Sequence, residues 1–274
     1  MQPIFKRRFT YCACMPRILG SGVFFCPEKE KEKTMQNLMN ELSTNLLFVL
    51  QFLGIVVALF LAAYVVEKWE KRRSGSTERI LVTRKIAMIG MFSAIAAILM
   101  IFEIPLPFLA PNFYKIDLSE IPVLVAAFAF GPVAGVLVEF IKIVLNLLMD
   151  STTTAFVGEL ANFSVGCSFV LPASIIYTFK KSKKQALLGC VVGTLCITAF
   201  GSAFNAVYLL PKFAELFGMP LDAIVEMGTA INPAIQSVSS FVFFAVAPIN
   251  LIKGTVVSII TILVYKKLSI MVKH

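Results

Sequence analysis

LLFVLQFLGIVVALFLAAYVV, residues Leu46 to Val66, is a 21-residue apolar run broken only by Gln51 and Tyr64. At about 1.5 Å per helical residue it covers the roughly 30 Å hydrocarbon core of a bilayer. It reads as a membrane span, with Trp69 just beyond it placed for the interface. The rest of the chain has the same character: of 274 residues, 58% are hydrophobic and 15% charged, and the mean hydropathy is +0.85. That is the composition of an integral membrane protein and not of a water-facing globule.

The basic residues set the orientation. There are 25 Lys and Arg against 16 Asp and Glu, a formal charge of +9. All the basic residues except Lys115, Lys142, Lys212 and Lys253 fall in four clusters, over 1–43, 67–85, 180–184 and 266–274. The clusters at 67–85, 180–184 and 266–274 flank apolar segments as cytoplasmic loops do, so the excess reports topology and the tail and excludes a nucleic-acid partner. The last three clusters then lie on one side of the membrane, which places the 1–45 tail on the other. No apolar stretch of signal-peptide length precedes Pro27, and 1–45 reads as a solvated polar tail.

Several chemistries are excluded. His274 is the only histidine, and Cys12, Cys14 and Cys26 show no CxxC spacing, while Cys167, Cys190 and Cys196 lie inside apolar runs. Neither a structural metal site, which needs four suitably spaced ligands, nor a disulfide framework is expected. GxxxxGK[ST], HExxH and GxSxG are absent from the sequence, so uphill transport would draw its energy from a partner or an ion gradient.

Outward from the first span, 67–85 is a basic cytoplasmic linker, and six further apolar segments occupy 86–268, followed by a short tail over 269–274. Ile86 to Phe102 carries small residues at four-residue spacing, Gly90 with Ala94 and Ser93 with Ala97. Such faces let helices approach closely in lipid, either within the bundle or against another membrane subunit. The stretch 103–117 holds Pro105, Pro107 and Pro111 and cannot continue a helix; its length and apolarity predict a plug folded back over a cavity. Ile121 to Phe130 is too short to cross a bilayer and ends at Gly131-Pro132. Val133 to Met149, Gly158 to Phe179, Ala186 to Leu210 with a stop at Pro211, and Phe241 to Tyr265 complete the set. The expected fold is therefore an all-α integral membrane protein, a six-helix core preceded by one additional N-terminal transmembrane helix, in the cell membrane.

A charged side chain at mid-bilayer costs on the order of 3 kcal/mol, so each one calls for a partner or a task. Glu139, Lys142 and Asn146 share one helix face by their i, i+3 and i, i+4 spacings. They read either as a self-neutralising pair beside an amide or as the lining of a solute cavity. Asn250 and Lys253 are also i, i+3, and Lys253 has no acidic residue at a neighbouring helical position. An amide offers both donor and acceptor to a planar heterocycle, and an ammonium donates to its carbonyls. Asn205 supplies a second amide near the same end, and Phe108, Phe113 and Tyr114 are aromatic groups that could pack on a flat ligand. The set suits an uncharged, polar-edged, planar molecule better than an inorganic ion.

KIDLSEIP (115–122), FGPVAGVLV (130–138), FIKIVLNLL (140–148), GELANF (158–163), NAVYLLP (205–211) and PINLIKG (248–254) occur in this order. In them the chain resembles the substrate-capture S components of energy-coupling-factor vitamin transporters, most closely the riboflavin-specific branch, over about 84–268. The resemblance implies six membrane helices and a capped cavity near the outer face. It also implies docking onto a module of one transmembrane coupling subunit and two ATPases. Riboflavin would be the transported ligand, with no resident cofactor, no metal and no catalysis. The flavin ring would be read by Asn205, Asn250 and Lys253, and the ribityl chain by Lys115 to Asp117 with Glu120, with Phe113 beside them. Gly90, Ser93, Ala94 and Ala97 would form the docking face. The N-terminal helix and the length of the 212–240 connection depart from the family pattern. Rival readings are an S component for another vitamin or precursor, an intramembrane enzyme using Glu139, Lys142 or Glu159, and an autonomous secondary carrier.

Overall fold

The computed structural model describes residues 46–75, 82–111, 114–150 and 156–271. The tails over 1–45 and 272–274 and the ligand candidate Phe113 lie outside the described residues. Helix α1 (Leu46–Ser74) is followed by α2 (Thr83–Ile101), a hairpin of β1 (Ile104–Pro105) and β2 (Lys115–Ile116), and the short α3 (Glu120–Phe130). Then come α4 (Pro132–Asp150), α5 (Val157–Phe179) and α6 (Lys183–Phe204). Helices α7 (Leu210–Phe217), α8 (Leu221–Thr229), α9 (Val238–Phe241) and α10 (Ala247–Met271) complete the chain. Among the described residues, six helical stretches are long and apolar enough to cross a membrane, and α3 is a shorter apolar helix in addition to them.

Helix α1 does not stop at Val66 but continues through Ser74 into the basic stretch. Glu67 explains the continuation. Buried in the structure, its Oε2 accepts the Val133 backbone N–H at 3.3 Å, at the start of α4. A helix N-terminus presents unpaired N–H groups and attracts negative charge. Edge-on ring contacts of Phe52 with Phe163 (5.8 Å) and Trp69 with Phe179 (5.3 Å) hold the helix along α5.

The closest packing within the bundle depends on one face of α6. A Cβ at Gly189 would stand 2.6 Å from the Ala173 carbonyl oxygen, and one at Gly193 2.8 Å from that of Phe169. Only hydrogen fits between these backbones, which is how small residues associate helices in lipid. Continued at four-residue steps through Ile197 and Gly201, the same face leads to Asn205.

Pro211 does not end the helix, contrary to the sequence expectation. A π segment (Asn205–Leu209) bridges α6 and α7, and the Leu210 N–H bonds back to the Asn205 carbonyl. The wider turn accommodates the proline ring, whose clash with the preceding turn would break a regular α-helix. A second π segment (Val242–Val246) joins α9 to α10, and the two segments touch. The 212–240 connection is mostly helical.

The 103–117 stretch folds back as the sequence predicts. Ile104 pairs with Ile116 and Pro105 with Lys115 in the antiparallel hairpin. Ala110 and Ile116 are buried in an apolar cluster with Leu210, Ile224, Ile235 and Phe241. The hairpin is thus packed onto α7, α8 and α9 at the end of the bundle opposite the Lys180–Lys184 loop.

Candidate functional site

Beneath the hairpin lies a buried ionic cluster. Asp117 leads from β2 into α3, and its Oδ1 accepts both the backbone N–H (2.9 Å) and the hydroxyl of Ser119. Its Oδ2 receives Lys253 Nζ from α10 at 3.0 Å. Lys253 Nζ is also 3.6 Å from Glu120 Oε1. That oxygen accepts from Lys142 Nζ at 3.1 Å, while Lys142 reaches Ser119 Oγ at 3.1 Å and Glu139 Oε1 at 2.6 Å. Charges therefore alternate from Glu139 through Lys142, Glu120 and Lys253 to Asp117, joining α4, α3, α10 and the hairpin. The Glu139 and Lys142 side chains are 0% and 1% exposed, whereas Lys253 and Asp117 are each 11% exposed. The cluster is fully buried at one end and slightly exposed at the other.

Burial works against ionisation of Asp117, but the Lys253 and Lys142 ammonium groups and the Ser119 hydroxyl outweigh it. They hold its carboxyl well below the usual carboxylate range. A depressed folded-state value means the ion pair contributes at every pH above the unfolded value, about 4, and is lost only as pH falls further. Ligand affinity is accordingly expected to show no Asp117-dependent change between about pH 5 and 8. Titrations across that range in wild type and Asp117→Asn check this; a pH step present only in wild type contradicts it.

The amides lie one helical turn farther along. Asn205 Nδ2 donates to the Gly201 carbonyl at 2.8 Å, and its Oδ1 accepts the Tyr114 hydroxyl at 2.7 Å. Burial raises the Tyr114 phenol pKa, keeping the group a neutral donor. Asn250 presses on the other side of the same glycine, its Nδ2 2.7 Å from where a Gly201 Cβ would stand. Both asparagines are buried. Tyr114, whose ring centroid is 5.9 Å from that of Phe241, ties the hairpin to Asn205.

The structure thus brings together Asp117, Glu120, Lys253, Asn205 and Asn250. Lys115 is not among them: it is exposed and pairs with Glu103 across the hairpin, because β-strand alternation turns it away from the face on which Ile116 is buried. Phe108 is also exposed, at 73%. Of the four small residues on α2, Gly90 and Ala94 are exposed, but Ser93 and Ala97 face the core, where the Ser93 hydroxyl bonds the Ile89 carbonyl at 2.8 Å. Ser119 and Gly201 do not stand out as site residues in the sequence, and Tyr114 stands out there only as an aromatic group for a flat ligand, not as the donor to Asn205. Only for Gly201 was there a signal, the four-residue periodicity that links it to Gly189, Gly193 and Asn205.

A membrane bundle that packs a hairpin over buried charges and amides has the architecture of a protein with a solute site at one end. The chain belongs to the family described as ECF transporter, substrate-specific component, whose model matches residues 84–265. It is 37% identical over 191 residues to "Riboflavin transporter RibU" of Staphylococcus aureus, covering 70% of this chain and 93% of that protein. Identity to "Riboflavin transporter FmnP" of Bacillus subtilis is 32% over 186 residues, covering 68% and 92%. A solved structure described as "Structure and mechanism of the S component of a bacterial ECF transporter" matches with a TM-score of 0.54 and 36% identity, over 70% of this chain and 98% of that one. Helix α1 precedes the matched region.

Proposed function

We propose that this chain is the riboflavin-binding membrane subunit of an ECF-type importer, a carrier of cargo and not an enzyme. It captures the vitamin at the outer face and delivers it through a module of one transmembrane coupling subunit and two ATPases. The observation that carries the reading is the meeting of Asn205 and Asn250 at Gly201, one turn from Lys253, beneath a packed hairpin. Two amides and an ammonium match the donor and acceptor edge of a flavin ring. Asp117 and Glu120 lie on the hairpin side, where the ribityl hydroxyls would be received. The curated relatives, named riboflavin transporters, support this cargo. The six-helix unit over 86–268 is the proposed binding domain. On α2, the exposed Gly90 and Ala94 form the part of the proposed docking face open to a coupling subunit.

Titration of the purified protein with riboflavin tests the reading. Saturable quenching of flavin fluorescence at micromolar concentrations is expected, and its absence rejects riboflavin as cargo. Asn250→Ala is expected to weaken binding roughly ten- to a hundredfold, the effect of leaving a buried polar edge of the ligand unpaired. Uptake is expected to cease in cells lacking the two ATPases; uptake that persists there supports an autonomous carrier instead.

A further inference from the structure

Glu139 and Lys142 are the most deeply buried charges of the cluster, yet the proposed ligand contacts do not include them. A self-neutralising pair would need only each other. Lys142 instead pairs ionically with Glu139 on its own helix and donates to Ser119 Oγ and Glu120 Oε1 at the start of α3. Ser119 in turn donates to Asp117 through both its hydroxyl and its backbone N–H. The Ser119 hydroxyl that bonds Asp117, and the Glu120 carboxylate beside Lys253, are thus both tied to Lys142. The far side is equally constrained. A Cβ on Gly166 of α5 would collide with Glu139 Oε1, stand 2.8 Å from Glu139 Cδ and 3.0 Å from Glu120 Oε1. Glu120 Oε2 and both Glu139 oxygens have no hydrogen-bond partner among the described residues, so Glu139 is held by its ion pair with Lys142 and by the shape of the wall at Gly166.

We infer that Glu139 and Lys142 are positioning residues for the ligand site, with Gly166 as the wall behind them. Through Ser119 and Glu120 they set Asp117 and the base of the hairpin against Lys253. Their loss loosens the hairpin in the unliganded protein and weakens the ligand without removing any contact to it. The inference rests on the riboflavin reading for its affinity measurement but not for its hairpin measurement.

The test is a double-mutant cycle of Lys142→Met with Asp117→Asn, read by riboflavin titration and by thermal unfolding. Acting through Asp117, Lys142→Met is expected to lower affinity about tenfold in the wild-type background and less than about twofold beside Asp117→Asn, coupling of the size neighbouring residues show. Lys142→Arg, which retains the charge, is expected to restore part of the loss. Equal fold losses in both backgrounds overturn the inference, because a merely structural pair would destabilise both proteins alike. Where Lys142→Met does not fold, Glu139→Gln and Gly166→Ala replace it, with the same non-additivity expected. Limited proteolysis without ligand supplies the independent readout: faster cleavage within 103–117 is expected in each variant. Unchanged cleavage overturns the inference even if riboflavin binds, and faster cleavage with no riboflavin binding in wild type rejects the cargo alone.

Discussion

Lys253→Met is expected to remove detectable riboflavin binding at micromolar concentrations while the protein still inserts in the membrane. Its ammonium stands 3.0 Å from Asp117 Oδ2 and 3.6 Å from Glu120 Oε1. Taking away one member of a buried ion pair leaves an uncompensated charge, with a penalty of about 3–5 kcal/mol. Directed at the bound state, that is roughly two to three and a half orders of magnitude in Kd. Part of the penalty falls on folding, so affinity is measured together with the unfolding temperature. The double variant Lys253→Met, Asp117→Asn separates the two roles. Removing both charges is expected to recover thermal stability but not affinity, because the asparagine cannot replace an ammonium donated to the flavin. Recovery of both would mean that Lys253 serves only to neutralise Asp117, and the ligand contact would then lie elsewhere.

Lys253 also shows what could be read before folding. Its isolation along α10 was visible in the sequence, since no acidic residue occupies a neighbouring helical position. The partners that resolve it, Asp117 and Glu120, are more than a hundred residues away in the chain. Helical periodicity reports neighbours on one helix and says nothing about contacts between helices. For the same reason Glu139 and Lys142 read as a local pair or as cavity lining, and their tie from α4 to the start of α3 is not visible in the sequence. The bundle itself was legible because apolar runs of spanning length are set by bilayer thickness. The breaks in the rules were not. Pro211 read as a stop because proline opposes a regular helix, and only tertiary packing reveals the π turn that carries the chain past it. Lys115 enters the ligand set through the resemblance, as part of the stretch up to Asp117, whereas the structure pairs it with Glu103 across the hairpin on the face opposite the buried Ile116. Ser93 and Ala97 share the four-residue spacing of Gly90 and Ala94, yet spacing alone cannot tell the face that docks from the face that packs.

Gly201→Ala tests whether the two amides act as one recognition edge. The added methyl would stand 2.7 Å from Asn250 Nδ2 and 3.2 Å from its Cγ. Because the obstacle is a side chain, the bundle can accommodate the methyl by displacing Asn250 from its seat against Gly201. Asn205 itself is anchored to the Gly201 carbonyl, so any shift of the backbone there moves the second amide as well. Overpacking of this kind costs about 1–3 kcal/mol, which is expected to appear as a roughly five- to hundredfold loss of riboflavin affinity with little change in unfolding temperature. Gly193→Ala, two turns earlier on the same face, provides the contrast. Its methyl would meet the Phe169 carbonyl oxygen at 2.8 Å, and that backbone cannot turn aside without separating α5 from α6. The loss there is expected in stability, with the affinity of the folded fraction preserved. If instead the two substitutions lower affinity and stability in the same proportion, Gly201 is only another packing glycine and the paired-amide site is wrong. The opposite outcomes expected from one methyl at two points on one helix face follow from what each methyl meets, a mobile amide or a fixed backbone.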